Sequence, residues 1–137
     1  MATVSQEAEN VALVQSLYAA FGRGDMETLI AALADDIEWI SPGPSDAIAF
    51  AGHRRGVPEV MQFFAALNGA LEFEKFEPQE FIAQGDKVVV IGVSRVRGRG
   101  TGRSTDNDWV AVITLRNGKV IRYRLYEDTI ALAAALR

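Results

Sequence analysis

The chain has 137 residues, a formal net charge of −4 and no cysteine. This length suits one domain with one hydrophobic core, residues 1–137, and the composition, 49% hydrophobic and 23% charged, is that of a globular protein. The acidic balance argues against nucleic acid or a membrane surface as a partner, and the lack of cysteine excludes disulfides and thiolate metal sites. The start, MATVSQEAEN, has no secretory signal pattern, and no apolar run of about 18 residues is present, so we predict a cytoplasmic protein.

Apolar spacing predicts two helices at the start of the chain. From Ser5, which we interpret as the cap, apolar residues recur every three or four positions as far as Phe21, and the helix is expected to end at Gly22 and Gly24. Asp25 is predicted to cap a second, short helix. The inner side of this second helix is expected to contain Met26, Leu29, Ile30 and Leu33. The two helices would form a tight hairpin.

The segment DDIEWISPGP, residues 35–44, combines three acids with two prolines. Ile37, Trp39 and Ser41 alternate with other residues, which predicts a short strand that ends before Pro42. The acids lie outside this alternating row. Because unpaired carboxylates are rarely buried, we interpret all three as solvated or turn-forming residues.

A loop is predicted to run from the end of this strand to Gly56, followed by a third helix over residues 57–68. Pro58 falls in the first turn, where a helix tolerates proline, and Gly69 is the expected stop. The predicted buried side of this helix consists of Val60, Met61, Phe64 and Leu67.

After Gly69 the apolar period changes from helical to two, which predicts a sheet. Strands are expected at residues 71–74, from Phe81 to a turn at 85–86, and at 87–97, 107–115 and 120–127, followed by a short helical tail, ALAAAL. The third and fourth of these contain VVVIGV and WVAVITL, which are apolar on both faces and need cover on each.

The turn RNGK, residues 116–119, is a hairpin signal that leaves two registers open. A two-residue loop pairs Ile113 with Arg122, whereas a three-residue loop ending in a left-handed Gly118 pairs Ile113 with Ile121. We favour the second, which leaves Arg122 and Arg124 on the outer face. It gathers on one inner face Trp109, Ala111, Ile113, Ile121, Tyr123 and Leu125.

Three segments carry a resemblance to a known family: LYAAFGRGDMETLIAALADDIEW, GVPEVMQFF and DWVAVITLRNGKVIRYRLYEDT. Their order and spacing resemble the SnoaL-like family of the nuclear transport factor 2-like superfamily, over nearly the whole chain. The resemblance implies an α+β, cystatin-like conical barrel in which three N-terminal helices pack on a strongly curved, mainly antiparallel sheet. It also implies an apolar pocket, and commonly a homodimer.

The superfamily includes ketosteroid isomerases, polyketide cyclases and epoxide hydrolases, so the resemblance alone does not define the activity. The base of the isomerases corresponds to Ser41 here, and their two oxyanion donors correspond to Leu17 and a position near Ala111. A further pocket tyrosine corresponds to Phe64. The essential aspartate of the cyclases corresponds to Leu125. None of these residues can perform the corresponding role, so catalytic residues stay unassigned.

We predict a binding site for a small hydrophobic molecule, without metal or organic cofactor. Aromatic rings can stack on a planar ligand, and hydroxyl groups can orient it. His53, the single histidine, is expected on a loop near the pocket mouth, either as a general base or as an exposed loop residue. The predicted ligand-binding residues are Tyr18, Trp39, Ser41, His53, Phe64, Trp109, Tyr123 and Leu125.

Two further acids and one basic segment are candidates for function. Asp108 is out of phase with Trp109 and is expected to face outward, whereas Glu127, two residues beyond Leu125, belongs to the inner row near its end. The basic segment SRVRGRGTGRS could clamp an anion, but we interpret it as a solvated hairpin. Neither acid is assigned a catalytic role, and we expect the inner surface to consist mainly of rings and aliphatic groups in place of ionisable ones.

The outer faces of the central strands predict a homodimer, because Val89, Ile91, Val110 and Val112 would lie uncovered in a monomer. Three functions stay open: an enzyme of isomerisation, cyclisation or hydration, a non-catalytic carrier module, and a purely structural dimer. A cavity with a buried acid or histidine favours the enzyme, a wholly apolar cavity favours the carrier, and no cavity favours the structural dimer.

Overall fold

The computed structural model describes residues 3–137, which form four helices and six strands. The elements follow in the order α1 (Val4–Gly22), α2 (Met26–Ala31), β1 (Leu33–Ser41), β2 (Gly52–Arg55), α3 (Val57–Ala70), β3 (Leu71–Gln84), β4 (Lys87–Gly98), β5 (Ser104–Arg116), β6 (Lys119–Glu127) and α4 (Thr129–Leu136).

The six strands form one curled sheet in the order β2-β1-β6-β5-β4-β3. β1 and β6 run parallel, and every other neighbouring pair is antiparallel. Helix α1 contacts β3 and β4, and α3 contacts β1, β2 and β3, so the helices cover the concave face. The predicted α+β class with a mainly antiparallel sheet is confirmed. None of the helices between residues 3 and 137 is long and apolar enough to cross a membrane.

The first helix begins earlier than the sequence suggested. Thr3 is its cap, because the Gln6 N–H donates to Thr3 Oγ1 at 3.1 Å and the Thr3 N–H donates to Gln6 Oε1 at 2.7 Å. This reciprocal capping box makes the assignment of Ser5 as the cap wrong. The cap of α2 is confirmed, since Asp25 Oδ1 accepts the Thr28 N–H at 3.1 Å. Leu33, predicted on α2, is the first residue of β1.

The segment before α3, predicted as a loop throughout, contains the four-residue strand β2. It pairs antiparallel with the end of β1, where Ile40 lies opposite His53. No apolar alternation marks this strand in the sequence. Its backbone pairing with β1 therefore decides its conformation.

Helix α3 buries a side slightly rotated from the predicted one. Phe63 is 4% exposed, whereas Met61 is 56% exposed, so the prediction of a buried Met61 was wrong. The helix also continues through Gly69 to Ala70 before the chain becomes extended at Leu71.

Strand β3 is a single 14-residue element in place of the two pieces predicted. Its pairing with β4 is interrupted between Phe73 and Lys75 and again between Pro78 and Glu80. Such irregularities bend a strand and increase its twist, which lets one strand follow the curved edge of the sheet. They also break the alternation that a sequence pattern relies on.

The hairpin between β5 and β6 differs from both predicted registers. Asn117 and Gly118 have φ values of 53° and 74°, so the loop has two residues in left-handed conformations. A bulge then skips Ile121, and Ile113 pairs with Tyr123. Because of this bulge Tyr123 lies on the inner face, where we had placed it by assuming a three-residue loop.

Candidate functional site

A cavity of about 120 Å³ lies between the concave face of the sheet and the helices. An apolar cavity of about 150 Å³ in another protein holds benzene, so this space suits roughly one ring. Its wall is formed by Leu17, Tyr18, Phe21, Leu29, Leu33, Trp39, Phe50, Phe63, Phe64, Leu67, Leu71, Phe73, Phe76, Ser94, Val96, Trp109, Ile113, Val120, Tyr123, Leu125, Glu127 and Leu132.

Most of the residues predicted to bind a ligand meet around this cavity. The residues of that set in the wall are Tyr18, Trp39, Phe64, Trp109, Tyr123 and Leu125. They come from helices α1 and α3 and from strands β1, β5 and β6. Their role in binding stays a prediction.

Two predicted residues, Ser41 and His53, do not line the cavity. Ser41 is 3% exposed at the end of β1, and its hydroxyl has no hydrogen-bond partner within residues 3–137. His53 is exposed on β2, where its Nε2 lies 2.9 Å from Glu38 Oε2. The predicted position of His53 at the pocket mouth is corrected, because the pairing of β2 with β1 directs it to this glutamate.

Glu38 is the centre of an ionic cluster outside the cavity. Its carboxylate lies 2.9 Å from His53, 3.2 Å from Arg55 and 3.0 Å from Arg122, and its side chain is 23% exposed. Strands β1, β2 and β6 each contribute one or more of these residues. The acid we interpreted as solvated or turn-forming therefore has a structural role in joining three strands.

One wall of the cavity is a stacked aromatic pair on neighbouring parallel strands. The Trp39 and Tyr123 rings lie 3.9 Å apart between centroids with an interplanar angle of 17°, and the two residues are register partners. The ring centroids of Phe63 and Phe64, both on α3, each lie 5.4 Å from the centroid of the Trp39 indole. This packing fixes the ring surface that faces the cavity.

A second aromatic wall joins α1, β3 and β5. The Phe76 and Trp109 rings are 5.2 Å apart and nearly parallel, and Tyr18 lies 5.6 Å from Trp109 at an angle of 28°. Phe76 lies between the two irregularities of β3, which is why a strict alternation did not reveal it. The cavity thus has rings on both sides.

Glu127 is the one acid in the cavity wall formed by residues 3–137. It is the last residue of β6 and pairs with Trp109, and burial raises the pKa of its carboxyl from 4.5 to about 7. Glu127 is therefore an exception on an inner surface that was expected to consist mainly of rings and aliphatic groups. Asp108 is exposed, as the alternation predicted.

Two tyrosine hydroxyls accompany this acid. Burial raises the pKa of Tyr123 well above its ordinary value, and negative charge on Tyr18 and on Glu127 raises it further. Burial also raises the pKa of Tyr18. Tyr123 therefore interacts electrostatically with each of the other two groups, and both phenols keep their protons at neutral pH.

The cavity wall is rich in hydrogen-bond donors that have no acceptor. The Tyr18 hydroxyl and the indole Nε1 atoms of Trp39 and Trp109 are buried without a partner in the part of the chain that the structure describes. Buried polar groups are rarely left unpaired, and each one calls for an explanation. A ligand with acceptor oxygens would satisfy such groups.

Several wall residues were missed because no local pattern marks them. Phe63 was missed because the buried side of α3 is rotated from the predicted one. Val120 was missed because it lies beside the β5–β6 turn, where the bulge changes the register. Leu132 belongs to the C-terminal helix, which is too uniformly apolar to show an inner side. Glu127 was found by its phase with Leu125, although the sequence could not show that burial encloses its carboxyl.

The geometry defines an α+β cone of the nuclear transport factor 2-like class, as comparison with solved structures shows. A nuclear transport factor 2-like protein from Burkholderia xenovorans LB400 is 41% identical, with a TM-score of 0.86, over 96% of this chain and 98% of that one. The SnoaL-like domain model matches residues 14–123. The chain therefore belongs to the SnoaL-like family.

Two further proteins are similar to this chain over most of its length. Uncharacterized protein Rv0034 of Mycobacterium tuberculosis is 30% identical over 120 residues, which are 87% of this chain and 89% of that protein. TerC, in a structure co-crystallised with polyporic acid, is 29% identical with a TM-score of 0.80, over 93% of this chain and 97% of that one.

Proposed function

We propose that this protein binds a small, mostly apolar ring compound bearing a carbonyl oxygen, and that Glu127 moves a proton on it. The observation that carries this proposal is one partly buried acid in the wall of an aromatic cavity, together with wall residues whose hydrogen-bond donors have no partner in the described chain. A carrier needs no such acid. The co-crystallisation of TerC with polyporic acid supports small-molecule binding by a relative of this chain.

The proposed chemistry is a proton shift next to the carbonyl group. The Glu127 carboxylate takes a proton from the carbon beside the carbonyl, and the electron pair moves onto the oxygen to form an enolate. A phenol of Tyr18 or Tyr123 donates a hydrogen bond to this oxygen, which stabilises the developing charge. Where the substrate has a carbon–carbon double bond one position beyond the deprotonated carbon, the enolate is a conjugated dienolate. Return of the proton to the far carbon of that double bond then gives an isomer of the substrate.

A carboxyl whose pKa lies near 7 is suited to this role. It is partly ionised at neutral pH and is a stronger base than an ordinary carboxylate, and such a base contributes about 10²–10⁴ in rate. The apolar walls exclude water from the enolate, which strengthens the hydrogen bonds that hold it.

A cyclic ketone of one ring tests both parts of the proposal. Binding of cyclohexanone should change the fluorescence of Trp39 and Trp109, which both line the cavity. Exchange of its α-hydrogens in D₂O, followed by proton NMR, should be faster with the protein than in buffer alone. Glu127→Gln should abolish this acceleration and leave binding intact.

The same experiment separates the enzyme from the carrier. Binding with no acceleration of exchange would support a carrier and reject the role of Glu127. A matched control is Glu80→Gln, an exposed glutamate on β3 outside the cavity wall, which should behave as the unmodified protein. Exchange that survives Glu127→Gln would also reject the proposal.

A further inference from the structure

Asn107 makes an unusual pair of contacts with the backbone that follows Glu127. It lies on β5 and is 3% exposed. Its Nδ2 donates to the carbonyl oxygen of Asp128 at 3.1 Å, and its Oδ1 accepts the Asp128 N–H at 3.0 Å. One amide side chain thus satisfies both backbone groups of a single residue.

These contacts lie where the β5–β6 ladder ends. Trp109 and Glu127 are the last register partners of that ladder. Beyond them the chain leaves β6 and enters α4, whose cap is Asp128, with Oδ1 accepting the Ala131 N–H at 3.0 Å. The Asn107 amide takes the place of the backbone partner that β5 no longer supplies.

We propose that Asn107 is a positioning residue that fixes the direction in which the Glu127 carboxyl enters the cavity. The peptide between Glu127 and Asp128 is held on one side by the strand pairing and on the other by this amide. Without this amide the end of β6 could leave its pairing with β5, which would turn the Glu127 side chain away from the inner row. The inference rests on the proposed role of Glu127 and concerns a residue outside the cavity wall.

The same contacts also place helix α4 over the cavity. Leu132 of this helix is 1% exposed and belongs to the cavity wall. At its far end, the hydroxyl of Thr101 donates to the carbonyl oxygen of Ala135 at 2.6 Å. Arg103 also donates to the carbonyl oxygen of Arg137 there. The helix is therefore held at both ends, and only the Asn107 contact adjoins Glu127.

These contacts allow a test that needs neither a ligand nor turnover. The side-chain carboxyl of Glu127 can be followed by carbon NMR as a function of pH, with Glu127→Gln identifying its signal. In Asn107→Ala the midpoint should fall by roughly one pH unit towards that of an ordinary glutamate, because a freed carboxyl reaches water. Thr101→Ala should leave the midpoint unchanged, since its contact is with the other end of α4.

Asp128 is exposed, so water can replace the lost bonds and Asn107→Ala is expected to fold. Asn107→Ser, whose shorter hydroxyl can replace at most one of the two bonds, is the second variant and should shift the midpoint by less. An unchanged midpoint in both variants, or an equal shift in Thr101→Ala, would overturn the positioning role.

The outcome is distinguishable from failure of the proposed function. If cyclohexanone exchange is accelerated, Asn107→Ala should reduce kcat by more than it raises KM, because the reacting group is misplaced while the aromatic walls remain. If exchange is never accelerated but the midpoint shifts as expected, the positioning role stands and the catalytic role fails.

Discussion

Gly92 and Trp109 are partners across β4 and β5, and the indole of Trp109 occupies the space that a side chain at position 92 would need. A Cβ built on Gly92 would overlap Cζ2 of this indole and would lie 2.6 Å from its Cε2. The absence of a side chain is therefore what allows Trp109 to lie against the sheet and form a wall of the cavity.

Gly92→Ala should displace the indole and destabilise the protein by about 1–3 kcal/mol, as overpacking of a core does. The expected readouts are a lower urea midpoint and a changed tryptophan emission spectrum. The matched control is Gly100→Ala, because no atom lies within 4 Å of a Cβ built there. Equal effects of the two substitutions would contradict the packing argument.

The stability of the protein should fall as pH rises from about 4.5 to about 7, owing to Glu127. Its pKa in the folded protein, about 7, exceeds the ordinary value of 4.5, so between these values the folded state keeps a proton that the unfolded state has released. The stabilisation is complete below the ordinary pKa and is lost as pH rises through the folded one.

Glu127→Gln should remove this dependence, because glutamine does not titrate. Urea unfolding at about pH 5 and about pH 8 measures it, and the variant should gain stability relative to the unmodified protein at the higher pH. Parallel pH profiles for the two proteins would show that Glu127 titrates normally.

Removal of His53 should leave ligand binding and ketone exchange unchanged, since it lies outside the cavity wall. Removal of its partner, Glu38, should instead lower the stability of the folded protein. Glu38→Gln leaves His53, Arg55 and Arg122 without their shared carboxylate and is expected to cost about 1 kcal/mol, less at high salt. Urea midpoints at two salt concentrations provide the measurement, and a loss of exchange in His53→Ala would refute the assignment.

The outer face of the sheet should form a contact between two copies of the chain. Its central residues are half-buried and apolar, and nearby Tyr126 and Ile82 are 48% and 50% exposed. Val110→Arg should therefore produce a monomer in sedimentation analysis. Met61→Arg, at an apolar residue on α3 that is 56% exposed, is the control and should not change the mass. A monomeric unmodified protein would reject the dimer.

The sequence predicted the class of fold because hydrophobic period is a local property. Period three to four gave α1 and α3, period two gave the start of β3, and a continuous apolar run gave β4, where Val88 and Val90 are fully buried. It failed where pairing with a distant strand decides the conformation. Strand β2 has no apolar pattern, and the bulge at Ile121 is set by the fit of two strands.

The site was predictable only in part for the same reason. The aromatic residues on inner rows were identified from their phase, which is how Trp39 and Tyr123 were found. The pKa of Glu127 is raised by burial in the folded chain, and no spacing in the sequence encodes that burial. A pKa shift caused by burial depends on the folded structure and cannot be read from the sequence.

The parallel pairing of β1 with β6 has a consequence for the synthesis of the chain. Trp39 on β1 stacks on Tyr123 on β6, and β1 pairs with this much later strand. During synthesis β1 therefore leaves the ribosome long before its β6 partner. Until β6 is synthesised, Trp39 lacks the ring on which it stacks in the folded protein. Pairing of β1 with β6 also closes a loop that contains most of the chain, and closure of a long loop slows folding.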